Sequence, residues 1–169
     1  SVMRKTTNDG GGRIKIKNSF TEPPRKVAEQ LRAWVRLPEE KTFIIRNDQI
    51  QFLPKDKLLE IEHVARNLYI IMAGTLMASL KHDKLIPEHP VALSVDLNTP
   101  HFNCLEVDLA DALHFLRKET LQVDFDKKGF ALICYKTLPI GWVNILHNRI
   151  NNLYPAEWRI RMTDKYPIP

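Results

Sequence analysis

Residues 141–160 read GWVNILHNRINNLYPAEWRI. An apolar, strand-like run ends in a loop rich in asparagine that also carries arginine, tyrosine and tryptophan, and the chain then returns to an apolar tail. Such side chains can stack on bases and hydrogen-bond to base edges or phosphate. Just upstream, 130–135 and 140–146 form a second apolar pair, bent by Pro139, that predicts a β-hairpin feeding the loop. Asparagines also serve irregular loops by bonding to backbone. Asn148, Asn151 and Asn152 therefore fit a structural clasp, with Tyr154 and Trp158 packed inside, as well as an RNA contact. A charged group in a loop is seldom buried without a partner, which favours an exposed role for Arg149.

Working outward, 68–72 predicts a buried strand, Gly74 a turn and 76–80 a second strand. Pro87 suits the first turn of a helix reaching about Leu93. Residues 103–107 predict a strand. Asp108 then caps a helix with Asp111 in its first turn and Leu109, Leu113 and Leu116 facing inward. Residues 159–162 predict a last strand. Nearer the start, Thr21, Pro23 and Pro24 open a helix whose apolar face is Val27, Leu31, Trp34 and Val35. Residues 42–46 and 49–53 flank Asn47-Asp48 as a short hairpin. Asp56 caps a short helix carrying Leu58, Leu59 and Ile61. Several short strands with small helices between them predict an α+β chain built on a partly closed mixed β-barrel.

Several blocks in this order resemble the C-terminal region of bacterial RNA cytosine-C5 methyltransferases of the Sun family. The closing stretch is similar to their GNR-x-NN-x-YP-x-EWRI signature. Residues 68–76 followed by 87–94 resemble a hydrophobic strand, a glycine and a PxHxLALA segment. Residues 108–119 resemble a leucine-rich helix ending in LRGE, and 129–142 resemble GxxLVTY followed by LPLGW. The resemblance spans roughly residues 40–162. Two positions depart from it: His147 stands where the family usually has glycine, and Asn144 where it commonly has lysine, which removes one phosphate contact.

The resemblance implies a PUA-like pseudo-barrel that binds RNA, preceded by a small α/β linker domain. The expected organisation is 1–18 as a flexible linker or artificial chain edge, 19–64 as the linker domain, 65–163 as the PUA-like domain and 164–169 as a tail. The RNA-binding residues expected are Arg149, Asn148, Asn151, Asn152, Tyr154, Arg159 and Arg161. The family attacks cytosine C6 with a cysteine held in a Pro-Cys or Thr-Cys loop, a setting that neither Cys104 nor Cys134 has. Both read as buried, reduced thiols. No glycine-rich strand-to-helix loop for S-adenosylmethionine is present, so no cofactor and no catalytic residue is expected in this chain. By resemblance, S-adenosylmethionine belongs to a methyltransferase domain N-terminal to it. The expected partners are that domain and ribosomal RNA of the small subunit. The rival expectation is a stand-alone ribosome-associated or protein-interaction module.

With 169 residues, 44% hydrophobic and 27% charged, the chain is long enough for a real core. No apolar run approaches the roughly 20 residues that span a bilayer, and no signal peptide is evident, so no membrane partner and a cytoplasmic location are expected. The six histidines lack metal-site spacing, and no metal is expected. The net charge of +5 is uneven. Residues 1–36 hold nine Lys/Arg against three Asp/Glu, 37–135 hold 11 against 15, and 136–169 hold five against two. Positive charge collects at the chain's ends, where it can follow a phosphate backbone.

Overall fold

A computed structural model describes residues 20–68, 70–121, 127–147 and 149–161. The expected N-terminal linker at 1–18, the tail at 164–169 and Asn148 lie outside the described residues. The chain is mixed α+β. The first helix, α1, spans Arg25–Arg32 and follows the two prolines. It buries Leu31 completely, and Val27 and Trp34 pack partly against the same core. Strands β1 (Lys41–Arg46) and β2 (Gln49–Pro54) form the expected hairpin. Asn47 and Asp48 both take positive φ, 50° and 61°, the conformation that matches the twist of a two-residue hairpin. Helix α2 (Leu58–Ala65) follows a 3-10 turn that contains Asp56. Asp56 is therefore not the cap, and no side chain caps α2.

Strands β3 (Thr75–Lys81) and β4 (Lys84–Pro87) extend the hairpin into an antiparallel sheet of order β1-β2-β3-β4. Pro87 closes β4 rather than opening a helix, and α3 (His89–Ala92) starts two residues later with Pro90 in its first turn. A second sheet has order β5-β6-β7-β8, with β5 at Asn103–Glu106, β6 at Gly129–Tyr135, β7 at Leu138–Ile145 and β8 at Ile150–Asn152. β5 lies parallel to β6, and the crossover between them carries α4 (Leu109–Leu116). Asp108 caps α4 as expected: its carboxylate accepts the Asp111 N–H at 2.9 Å. The residues that α4 buries are Ala112 and Phe115, one position round from the expected leucine face, and Leu109 is partly exposed.

Alternation along β6 and β7 feeds two cores. Leu132, Cys134 and Trp142 join Leu31, Val35, Phe43, Ile50, Phe52, Met77 and Val91 in the core between the sheets. Ala131, Ile133, Val143 and Ile145 face the other way, onto Ala112 and Phe115 of α4. The strands thus form two open four-stranded sheets facing a common core, and among the described residues no pairing closes them into a ring. The outer face of the first sheet is covered by Leu58 and Ile61 of α2 with Phe20 and Ile70.

Four further expectations are revised. Residues 68–72 are not a buried strand: Ile71 is 79% exposed and Met72 59%. The Arg46 guanidinium donates to the Ile70 and Ile71 carbonyls, so this backbone is satisfied without a strand partner. The described part of 159–162 is not a strand either, and the sheet ends with β8. Cys104 and Cys134 are joined in a disulfide rather than reduced, and Cys104 is exposed while Cys134 is buried. Cys104 pairs in register with Leu132, which sets Cys134 two residues further on the same face, with the Cα atoms 6.2 Å apart, within the range a disulfide bridges. Lastly, no division falls at residue 64, because β2 pairs with β3 across it and one core draws on both sides.

Removing residues 1–62 would strip Leu31, Val35, Phe43, Ile50 and Phe52 from that core and leave β3 an unpaired edge. A chain beginning at His63 is expected to lose cooperative thermal unfolding and to bind a hydrophobic dye. A sharp melt from that fragment would restore the boundary at 64.

Candidate nucleic-acid interface

Segment 149–161 is fastened to the C-terminal end of α4. The last carbonyls of a helix have no partner within it, and here the segment provides them. The Asn152 side-chain amide donates to the Phe115 carbonyl at 2.8 Å and, more weakly, to that of Glu119 at 3.4 Å. The Ile160 N–H donates to the Leu116 carbonyl at 3.0 Å. In return, the Lys118 ammonium donates to the Tyr154 carbonyl at 2.5 Å. The side-chain oxygen of Asn152 accepts the Tyr154 N–H at 2.9 Å, so this residue also shapes the turn after β8. Asn151 lies within β8, paired in register with Asn144 of β7.

A chain of aromatic rings runs from the core to the surface beside this clasp. Phe115 is fully buried and meets the Tyr154 ring edge-to-face at 5.4 Å. Tyr154 meets His89 at 4.9 Å, and His89 meets Trp158 at 5.2 Å, both near perpendicular. Gly141 makes the approach possible. A Cβ there would lie 2.6 Å from Phe115 Cζ and 3.1 Å from His89 Cε1, so any side chain would displace both rings. His89 is 5% exposed, and its Nδ1 is buried with no hydrogen-bond partner among the described residues. Burial pushes its pKa below the ordinary value, which keeps the imidazole neutral at pH 7.

The expected site residues therefore divide. Asn152 bonds to the end of α4, and Tyr154 is half-buried in the ring chain. Asn151 is half-buried in the sheet. Arg149, Arg159 and Arg161 are exposed, and among the described residues none of them is ion-paired. Arg149 sits at the β7–β8 turn, where its carbonyl accepts the Leu146 N–H. His147, in the place of the family's glycine, is exposed and does not need positive φ. The sequence reading put Trp158 inside the fold, yet its side chain is 52% exposed. Lys118 and His89 were missed altogether. Lys118 lies outside the closing stretch and is brought to it only by the crossover through α4.

Residues 102–160 match the family model described as the methyltransferase RsmF PUA domain. This segment is similar to a PUA domain of the RsmF type. The match covers about a third of the chain, all of the second sheet and α4. No curated protein matches the chain. Two clefts lie away from the PUA segment's closing stretch, one of about 350 Å³ lined by Glu22, Arg32, Lys41 and Lys55, the other of about 640 Å³ lined by Trp34, Lys84, His101 and Phe130. Cys104, Glu106 and Cys134 bring three ligand atoms within 4.8 Å of one another, but a metal needs thiolates and the two sulfurs are bonded to each other. Among the described residues no helix is long and apolar enough to cross a membrane.

Two outcomes test this geometry. Asn152→Ala removes the amide bond to the Phe115 carbonyl, which keeps the Lys118 N–H, and the acceptor of the Tyr154 N–H, and is expected to cost about 1–3 kcal/mol at roughly 0.5–1.5 kcal/mol for each lost hydrogen bond. A chemical-denaturation midpoint unchanged from the parent chain would show that the clasp bond is idle. His89 has a folded pKa below its unfolded value of about 6.5. Above that pH both states are neutral and the group contributes nothing. As pH falls below it the unfolded chain takes up the proton first, so stability declines towards the folded pKa. Melting temperature is therefore expected to drop between about pH 7 and pH 5, and His89→Gln to remove part of that slope. Identical slopes would exclude His89 as the titrating group. The groups that face His89 are the Tyr154 and Trp158 rings, and the adjacent Glu88 carboxylate accepts the Ser79 hydroxyl.

Proposed function

We propose that this chain is the non-catalytic RNA-binding region of an S-adenosylmethionine-dependent rRNA cytosine-C5 methyltransferase. Its role is to position small-subunit ribosomal RNA for a catalytic domain on its N-terminal side. The observation that carries the reading is the closing segment of the RsmF-type PUA domain. Its backbone is fixed to α4, while Arg149, Arg159 and Arg161 are exposed on it and have no acidic partner among the described residues. A fixed backbone with exposed guanidinium groups suits phosphate, which arginine binds through two parallel hydrogen bonds. Contacts of this kind set register and orientation, and sequence is then read elsewhere. The protein works in the cytoplasm on this reading, and both cofactor and cysteine nucleophile are supplied by the catalytic domain. In this chain the only cysteines are tied together across β5 and β6.

The isolated chain is expected to bind structured small-subunit rRNA fragments, with affinity falling steeply as salt rises, because each phosphate contact releases counterions. Replacing Arg149 and Arg159 together by Ala should weaken binding and reduce the log–log salt slope by up to about two units, roughly one for each phosphate that loses its arginine. The melting temperature should stay near that of the parent chain, since both side chains are exposed and neither is ion-paired among the described residues. Filter binding at several salt concentrations measures both quantities. Salt-insensitive binding, or unfolding of the double variant, would make the arginines structural and defeat the proposal.

A further inference from the structure

We propose that Trp158 is a stacking platform for an unpaired RNA base, with Arg159 and Arg161 holding the phosphates beside it. This rests on the RNA-binding reading above and specifies the form of RNA that the segment takes.

The chain's three tryptophans are placed differently. Trp142 is buried, with its indole N–H donated to the Glu88 carbonyl at 3.0 Å. Trp34 packs against Phe102 beside the same core. Trp158 instead has 52% of its surface exposed, although it occupies the best-fastened part of the closing segment. Its 3-10 turn, Ala156–Trp158, starts after Pro155, whose carbonyl accepts the Trp158 N–H. Two residues further on, the Ile160 N–H is tied to Leu116. The backbone is therefore fixed on both sides of the indole. The ring itself is braced at 5.2 Å by His89, which is buried and sits edge-on between Tyr154 and Trp158. A ring held in this way loses little rotamer freedom when a ligand stacks on it, so more of the stacking energy appears as affinity.

The charges around the ring select the ligand. Arg159 follows it in an extended conformation, and Arg159 and Arg161 are both exposed while Ile160 between them is half-buried. An exposed indole with cations on the next exposed positions complements a ligand that joins a flat ring to an anion, which describes a nucleotide. Every base has a face to stack, and aromatic–base stacking tolerates sequence. In a duplex those faces are covered by neighbouring pairs, so only an unpaired base, in a loop, bulge or single strand, can reach Trp158.

The test uses the full 169-residue chain and a short RNA with 2-aminopurine at one position, as a single strand and as a duplex with its complement. The single strand is expected to bind more tightly, and the 2-aminopurine emission is expected to change as the base stacks. Trp158→Ala should weaken single-strand binding by about tenfold or more, while Trp158→Phe, which keeps a ring, should retain most of it. The salt slope should be unchanged in both variants, because every phosphate keeps its cation. Equal affinity for duplex and single strand, unaltered 2-aminopurine emission on binding, or a Trp158→Ala affinity equal to the parent's would each overturn the stacking role while leaving RNA binding intact. If the parent chain binds neither RNA, the RNA-binding reading fails and this inference fails with it. The emission measurement needs no variant, so the outcome stands even if Trp158→Ala folds poorly.

Discussion

The fold turns on two adjacent strands whose successive side chains serve different cores. Trp142 of β7 reaches the core between the sheets, and Val143, the next residue, reaches the core under α4. A strand buried on both faces reads as a continuous apolar run, and 130–135 has that character. A shift of one residue in the β6–β7 register would exchange the two sets and empty both cores. The register is held at its turn by Lys136 and Thr137, both at positive φ, 50° and 67°. That conformation is unfavourable for a β-branched threonine. The Glu106 carboxylate of β5 accepts the Thr137 N–H at 3.1 Å and supports it. Near the same end, a bulge between Ile133 and Cys134 accommodates Pro139, which cannot donate to the ladder. The constraint that fixes the PUA segment is thus a two-sided strand with its turn anchored from a third strand.

Local chemistry was readable in the sequence, and partnership across distance was not. Asp108 with Asp111, Asn47-Asp48 and the prolines before α1 act through neighbours within a few residues, and each produced the element it implied. Residues 68–72 have a strand's composition but no strand beside them, because β2 already pairs with β1 and β3. Their backbone is satisfied instead by Arg46, from more than twenty residues away. The boundary expected at 64 failed for a similar reason. Composition changes there, yet hydrogen-bonded pairing continues through Gln49–Ser79 and Ile50–Ala78. The Cys104–Cys134 bridge depends on a parallel register that spacing does not reveal.

Within the candidate interface, arginine was easier to place than asparagine. An arginine without a nearby acid goes to the surface because burying its charge is expensive, so its exposure follows from residue type alone. An asparagine can satisfy itself with backbone, RNA or water, and only the fold shows which is offered. For Asn152 it is the Phe115 carbonyl at the end of α4, a helix more than thirty residues earlier in the chain. Trp158 was misplaced because aromatic residues near an apolar tail usually pack inward, and its exposure arises from the 3-10 turn after Pro155.

The two roles depend on each other. The α4 carbonyls need donors, and Asn152 with the Ile160 backbone provides them. The same bonds hold the chain from 152 to 160 against the domain, where Leu153 and Tyr154 pack on the cores while Glu157, Trp158 and Arg159 are exposed. Lys118 adds a cation at a helix C-terminus, where the macrodipole favours positive charge. Of the asparagines named at the outset, Asn152 thus contributes through stiffness, fixing a segment on which Arg159 and Arg161 are exposed.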